Sequence, residues 1–413
     1  MNDSAASPAL PPTGNTYRTQ PENRAFFPAL DGLRAVAFLM VFGQHYLSLA
    51  WGWTGVNVFF VLSGFLITGI LFDSRDAPHR VRNFYLRRTL RIFPLYYGLF
   101  LLLLLLTPLL RWHWDRYWMA WPLYLGNFLR FLSPAAGVVG SPLEMAADAH
   151  LGGSLLPRSE LYLGHLWSLC VEEQFYLLWP AVVFFVRDRR RLLAICAGAV
   201  VLGPLLRFGL QAFAPPWMLA EELLYRFTPA QFDALLLGGL VALLWRGPAR
   251  ARLIAWARIG AVLGTFAVTG YLVFVLHGWR LAPAGYPHWS FTGGLLFADL
   301  YAAAVMVCAL SPGGVVFRLL HVRILRWVGR LTYGAYVFHD LFHDLFVHLV
   351  VHVGGARVAA NIPLRNELAA VVALPATLLL AWFSFRFFES PFLDLKDRWT
   401  VGRETGISPL RGQ

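Results

Sequence analysis

Charge is scarce in this sequence. Of 413 residues, 14% are Asp, Glu, Lys or Arg, against about a quarter in ordinary soluble domains. Lysine is almost missing: among 35 basic residues, Lys396 is the one lysine. Cysteine is limited to Cys170, Cys196 and Cys308, all in apolar stretches. Their number and spacing exclude a disulfide framework or a zinc motif, and buried free thiols are expected. The first 25 residues have no apolar signal-peptide core and carry Pro8, Pro11, Pro12, Gly14 and Pro21, as a disordered tail would. No internal repeat, low-complexity run or soluble domain stands out.

What is abundant is apolar length. Hydrophobic residues make up 58% of the chain, and the mean hydropathy is +0.55. The apolar runs are continuous rather than alternating, which argues against a β-barrel. The expected fold is all-α, a polytopic bundle of about ten transmembrane helices. The spans are expected near 29–50, 54–72, 92–110, 165–186, 191–213, 229–246, 259–277, 291–310, 327–351 and 366–388.

The net charge of +12 does not read as a nucleic-acid surface, because the arginines crowd short loops between apolar runs. That is how topology signals and contacts with anionic lipid are distributed. Arg75, Arg80, Arg82, Arg87, Arg88 and Arg91 share one loop, and "RDRRR" fills 187–191. Arg246, Arg250, Arg252 and Arg258 share another, Arg318, Arg323, Arg326 and Arg330 the next, and Lys396, Arg398, Arg403 and Arg411 the C-terminal tail. All five belong on the cytoplasmic side, which requires an even number of crossings between them. Ten spans satisfy this, with both termini cytoplasmic. An eleventh apolar stretch, 117–132, is then re-entrant or interfacial, and 133–164 is external. The organisation expected is a tail over 1–25, a membrane domain over 26–392 and a cytoplasmic tail over 393–413.

Ionisable groups inside apolar helices mark function by default. "LDGLRAVAFLMVFGQHYL" (30–47) places Arg34 and His45 eleven residues apart. That spacing is about three turns, roughly 20° off one face and about 16 Å along the axis. An extended pantetheine arm spans a similar length. Arg34 has a bland alternative, snorkelling with Asp31 as partner. Ser63 and Gly64 sit mid-span in the next helix, where Gly64 suits close helix packing and Ser63 can bond into a site.

Arg87, Arg88 and Arg91 precede the third span, with Pro94 suited to its first turn, and arginines beside a helix N-terminus make a phosphate site. His165, Ser168, Glu172 and Tyr176 fall on one face of the fourth span, with Glu173 and Gln174 beside it. His339 and His343, with Asp340 and Asp344, stand in the ninth span, where polar contact between helices is expected rather than a metal.

Together these segments resemble the acyltransferase-3 family of integral membrane acyltransferases. The resemblance is carried by "LDGLRAVAFLMVFGQH", "GVNVFFVLSGFLI", "RRTLRIFPLYY", "HLWSLCVEEQFYLLWP", "FDALLLGGLVALL", "VGRLTYGAYVFH" and "FESPF", from about residue 26 to 392. It implies acetyl-CoA or another acyl-CoA as donor and a hydroxyl, often on a carbohydrate or lipid-linked glycan, as acceptor. No metal is implied. The family's Arg and His motif falls on Arg34 and His45, its paired arginines on Arg88 and Arg91, and its fourth-span motif on His165, Trp167, Ser168, Glu172 and Glu173. Its histidine in the ninth span falls on His339. Asn57 stands where the family often has Asp, and Cys170 where it often has Ser. Some relatives add a periplasmic hydrolase-like domain, so a separate periplasmic transferase is a possible partner.

The resulting expectation is an inner-membrane O-acyltransferase of exopolysaccharide, lipopolysaccharide or another envelope glycan. Its catalytic residues are His45, Glu172 and His165. Its acyl-CoA grip is Arg34, Arg87, Arg88 and Arg91, and its supporting polar residues are Ser63, Ser168, Glu173, His339 and Tyr176. Acylation of a small secondary metabolite such as a macrolide is the enzymatic alternative. A proton-coupled transporter or glycolipid flippase is the alternative of another class.

Overall fold

The computed structural model describes residues 27–49, 51–110, 114, 117–129, 163–215, 218–219, 223–276 and 290–400. The expected N-terminal tail, nearly all of the expected external stretch 133–164 and the end of the C-terminal tail lie outside the described residues.

Among the described residues the regular elements are helices and none is a strand. A lipid environment imposes this, since each backbone polar group must be satisfied within its own segment. In chain order the main helices are α1 (Pro28–Leu47), α2 (Gly55–Asp73), α3 (Arg80–Leu110), α4 (Trp167–Phe185), α5 (Arg189–Phe213) and α6 (Phe232–Trp245). They continue as α7 (Arg250–Leu276), α8 (Leu295–Ala309), α9 (Arg323–His339), α10 (His343–Ala360), α11 (Ile362–Phe383) and α12 (Ser390–Trp399). Eight, α2 to α8 and α11, are long and apolar enough to cross a membrane. Leu105, Phe185, Phe213 and Phe266 are exposed on them, as lipid-facing positions require. The chain is a multi-pass membrane protein.

Two expected spans, 29–50 and 327–351, lie outside that set. They form α1 and the α9–α10 pair, and they pack against each other. A Cβ added at Gly329 of α9 would stand 1.8 Å from the Asp31 carbonyl oxygen. At the other end the Tyr46 hydroxyl donates to the His339 carbonyl over 2.9 Å. Start meets start and end meets end, so the two helices run parallel. In α2 a Cβ at Gly64 would lie 1.7 Å from the Leu235 carbonyl oxygen of α6, so this glycine does serve close packing, as small residues do between membrane helices.

Two expectations need correcting. The third helix begins at Arg80 rather than near 92, so Arg87, Arg88 and Arg91 lie within it and Pro94 is internal. Arginine stems reach along a helix that outruns the apolar core, so the arginines do not mark its start. No exposed helix N-terminus therefore adds to their attraction for phosphate. The ninth span is not one helix, because α9 stops at His339 and α10 starts at His343. By contrast, 117–129 folds as turns and short 3-10 segments rather than a crossing helix. Its carbonyls are met from α3 and α4: Tyr96 donates to Trp121, Tyr97 to Pro122 and Gln174 to Tyr124, over 2.6, 2.9 and 2.7 Å.

Candidate functional site

The α1–α9 contact and the break after α9 bring histidines together. His45, near the end of α1, lies with Nδ1 2.7 Å from Asp340 Oδ1. Asp340 is the first residue beyond α9, and its other oxygen, Oδ2, stands 3.6 Å from His165 Nδ1. His339 completes the cluster, its ring centroid 5.0 Å from that of His45 and 5.5 Å from that of His165. His165, His339 and Asp340 are buried, while the His45 side chain keeps 29% of its exposure. His45 is therefore the member a ligand meets first. Behind it, Ser168 shares a 2.6 Å hydrogen bond with the Tyr336 hydroxyl, which also reaches the His165 carbonyl at 2.9 Å.

The arginines form a second group toward the other end of α1. Arg34 donates to Asp31 over 2.7 Å, the pairing its spacing allowed. It also lies within electrostatic reach of Arg88 and Arg91. Arg88 stacks 5.3 Å over the Tyr176 ring, and Tyr176 and Ser63 share a 2.5 Å hydrogen bond. Glu172 lies beside Ser63 and Tyr176, and Arg88 acts on both Glu172 and Glu173. Arg91 is exposed, and its electrostatic neighbours include Glu389 of the "FESPF" segment. Arg87 turns aside and donates to the Thr400 hydroxyl over 3.1 Å.

The structure thus gathers the expected residues into two groups. His45, His165, Ser168 and His339 are in one; Arg34, Arg88, Arg91, Ser63, Glu172, Glu173 and Tyr176 are in the other. Glu172, expected as a catalytic residue with His45 and His165, is placed with the arginines. Seven helical residues, about 10 Å, separate it from His165. His343 leaves the face of His339 because of the helix break; its ring lies tilted against Tyr46 at 4.8 Å, and it contacts Asp344. Among the described residues no group of three or more His, Cys, Asp or Glu is arranged to hold a metal ion.

Asp340 is the residue whose role the sequence hid. On a continuous helix it would point about 100° away from His339. The one available signal was the acidic residue directly after an intramembrane histidine. A further buried cluster was also unforeseen. Arg207 grips Asp233 through two hydrogen bonds of 2.9 and 2.6 Å, and Asn57 donates to Asp299 over 2.8 Å. Asp299 of α8 thus brings a carboxylate to Asn57.

Residues 27–386 match the acyltransferase-domain family. A peptidoglycan O-acetyltransferase, OatA, from Listeria monocytogenes is 28% identical over 384 residues, covering 91% of this chain and 57% of that protein. A putative peptidoglycan O-acetyltransferase, YrhL, from Bacillus subtilis is 30% identical over 338 residues, covering 78% of this chain and 49% of that protein. A putative O-acetyltransferase from Staphylococcus aureus strain COL is 25% identical over 392 residues, covering 91% of this chain and 58% of that protein. This chain spans only about half to three-fifths of the length of these relatives. No solved structure matches it.

Proposed function

Because the chain belongs to this family of acyltransferase domains, we propose that it moves an acetyl group from cytoplasmic acetyl-CoA to a hydroxyl of an envelope glycan. The relatives' names support O-acetylation and a glycan acceptor. The arginine loops support an inner-membrane protein with both termini cytoplasmic. On that orientation the Arg34, Arg88 and Arg91 group faces the compartment that holds acyl-CoA. Exposed Arg91 and half-buried Arg88 suit its phosphates, since a guanidinium binds phosphate through forked donors.

The observation that carries the reading is the His45–Asp340 contact. His45 Nδ1–H donates to the carboxylate, which leaves Nε2 with its lone pair. Nε2 takes the proton as the acceptor oxygen attacks the thioester carbonyl. The new C–O bond forms and the C–S bond breaks. Asp340 stabilises the imidazolium, which then returns the proton to the departing thiolate. The products are the acetylated acceptor and free CoA.

Membranes carrying His45→Ala, supplied with labelled acetyl-CoA, test this. A fall in glycan labelling of about 10²-fold or more is expected, the scale of general-base catalysis. Undiminished labelling by folded mutant protein would overturn His45 as the base.

A further inference from the structure

Two of the clustered imidazoles have their tautomers set by the backbone. His165 Nε2 lies 3.0 Å from the Val337 carbonyl oxygen, and His339 Nδ1 lies 2.7 Å from that of Tyr336. A carbonyl oxygen only accepts, so both of those nitrogens carry hydrogen. In the neutral rings His165 Nδ1 and His339 Nε2 are then bare, and neither has a hydrogen-bond partner among the described residues. Asp340 uses Oδ1 on His45, and its Oδ2 is likewise without one. The 3.6 Å between Oδ2 and His165 Nδ1 joins two acceptors and is longer than a hydrogen bond.

The cluster therefore holds three lone-pair atoms and a shortage of donors. The relative exposures are 3% for His165, 0% for His339 and 7% for Asp340, so bulk water is not at hand. A buried acceptor without a donor is costly, and a ligand that brings donors removes that cost. The half-exposed His45 stands at the mouth of the cluster.

We propose that His165 Nδ1, His339 Nε2 and Asp340 Oδ2 form a donor-seeking subsite that takes a hydrogen-bond donor of the acceptor. It is an O–H or N–H adjacent to the hydroxyl to be acetylated, whose own hydrogen goes to His45 Nε2. Naming this ligand as the acceptor rests on the acetyl-transfer reading above. A diol or an acylamino sugar satisfies the subsite, whereas a simple alcohol leaves acceptors bare. Selection follows from the unpaired atoms rather than from shape, the mechanism by which polar sites reject analogues that lack a donor.

The test uses the full chain in lipid nanodiscs with ¹⁵N-labelled histidine, observed by solid-state NMR without acyl-CoA. His165→Gln and His339→Gln assign the two bare-nitrogen signals. The probes are 1,2-ethanediol and its monomethyl ether, 2-methoxyethanol, which has one donor fewer. Both signals are expected to shift with the diol, at a concentration about tenfold below that needed for the ether. Doubly protonated rings, unmoved signals or equal response to the two probes would overturn the proposal. Shifts without any acetyl transfer in a parallel assay would sink the transfer reading and leave the subsite standing. Transfer without shifts would do the reverse.

Discussion

At His45 one ring nitrogen is occupied by Asp340, and this fixes which proton the other can carry. In Asp340→Asn the amide nitrogen can donate to Nδ1, which drives the imidazole hydrogen onto Nε2 and removes the base. Initial rates of CoA release should fall about 10²- to 10⁴-fold while the protein stays folded. An unchanged rate would show that the carboxylate does not set the tautomer. His45, His165 and His339 could be picked out in the sequence because an imidazole in an apolar helix is conspicuous. Asp340 could be named beside them for a contact between helices, but its partner could not, because its direction depends on a helix ending one residue before it. Asn57 and Asp299, 242 residues apart, were equally unreadable as a pair.

At the scale of elements, the existence of the helices was readable and their ends were not. Long apolar runs announce a crossing, yet five arginines interrupt the stretch of α3 from Arg80 to Arg91. Two of its arginines, Arg87 and Arg88, find partners on distant segments, Thr400 and Tyr176, and helix propensity alone does not say where such a helix starts. The parallel contact of α1 with α9 depends on a backbone approach at Gly329. Gly329→Leu should push the helices apart, cost about 1–3 kcal/mol by overpacking and separate His45 from Asp340. Gly198→Ala serves as the contrast, since an added Cβ there meets nothing within 4 Å. Thermal unfolding in detergent, followed by near-ultraviolet circular dichroism, should show a lowered midpoint for the first and none for the second. Equal midpoints would mean that α1 and α9 are not held by that approach.

At the scale of the whole molecule, the orientation proposed above puts the arginine-rich loops on the cytoplasmic face. Cys170, Cys196 and Cys308 can be replaced to give a cysteine-free background. Single cysteines at Leu125 and Arg190 then report the two faces. A membrane-impermeant maleimide added to intact spheroplasts should label Leu125→Cys and reach Arg190→Cys only after permeabilisation. The opposite pattern would invert the protein and place the arginine group away from acyl-CoA. Overall helix content followed from the sequence because lipid leaves little choice. The meeting of α1 with α9 did not, because periodicity says which face is polar but not which distant face it finds.

That meeting bears on how the chain is made. Neither α1 nor α9 is among the eight helices apolar enough to cross by themselves. Asp31 and Arg34 satisfy each other within α1, but His45 depends on Asp340. About 300 residues of synthesis separate the two helices, roughly 15–60 s at 5–20 residues per second. For that interval α1 lacks its contact with Asp340. Two of the clustered imidazoles, His45 and His339, are thus brought together only after α9 has been made.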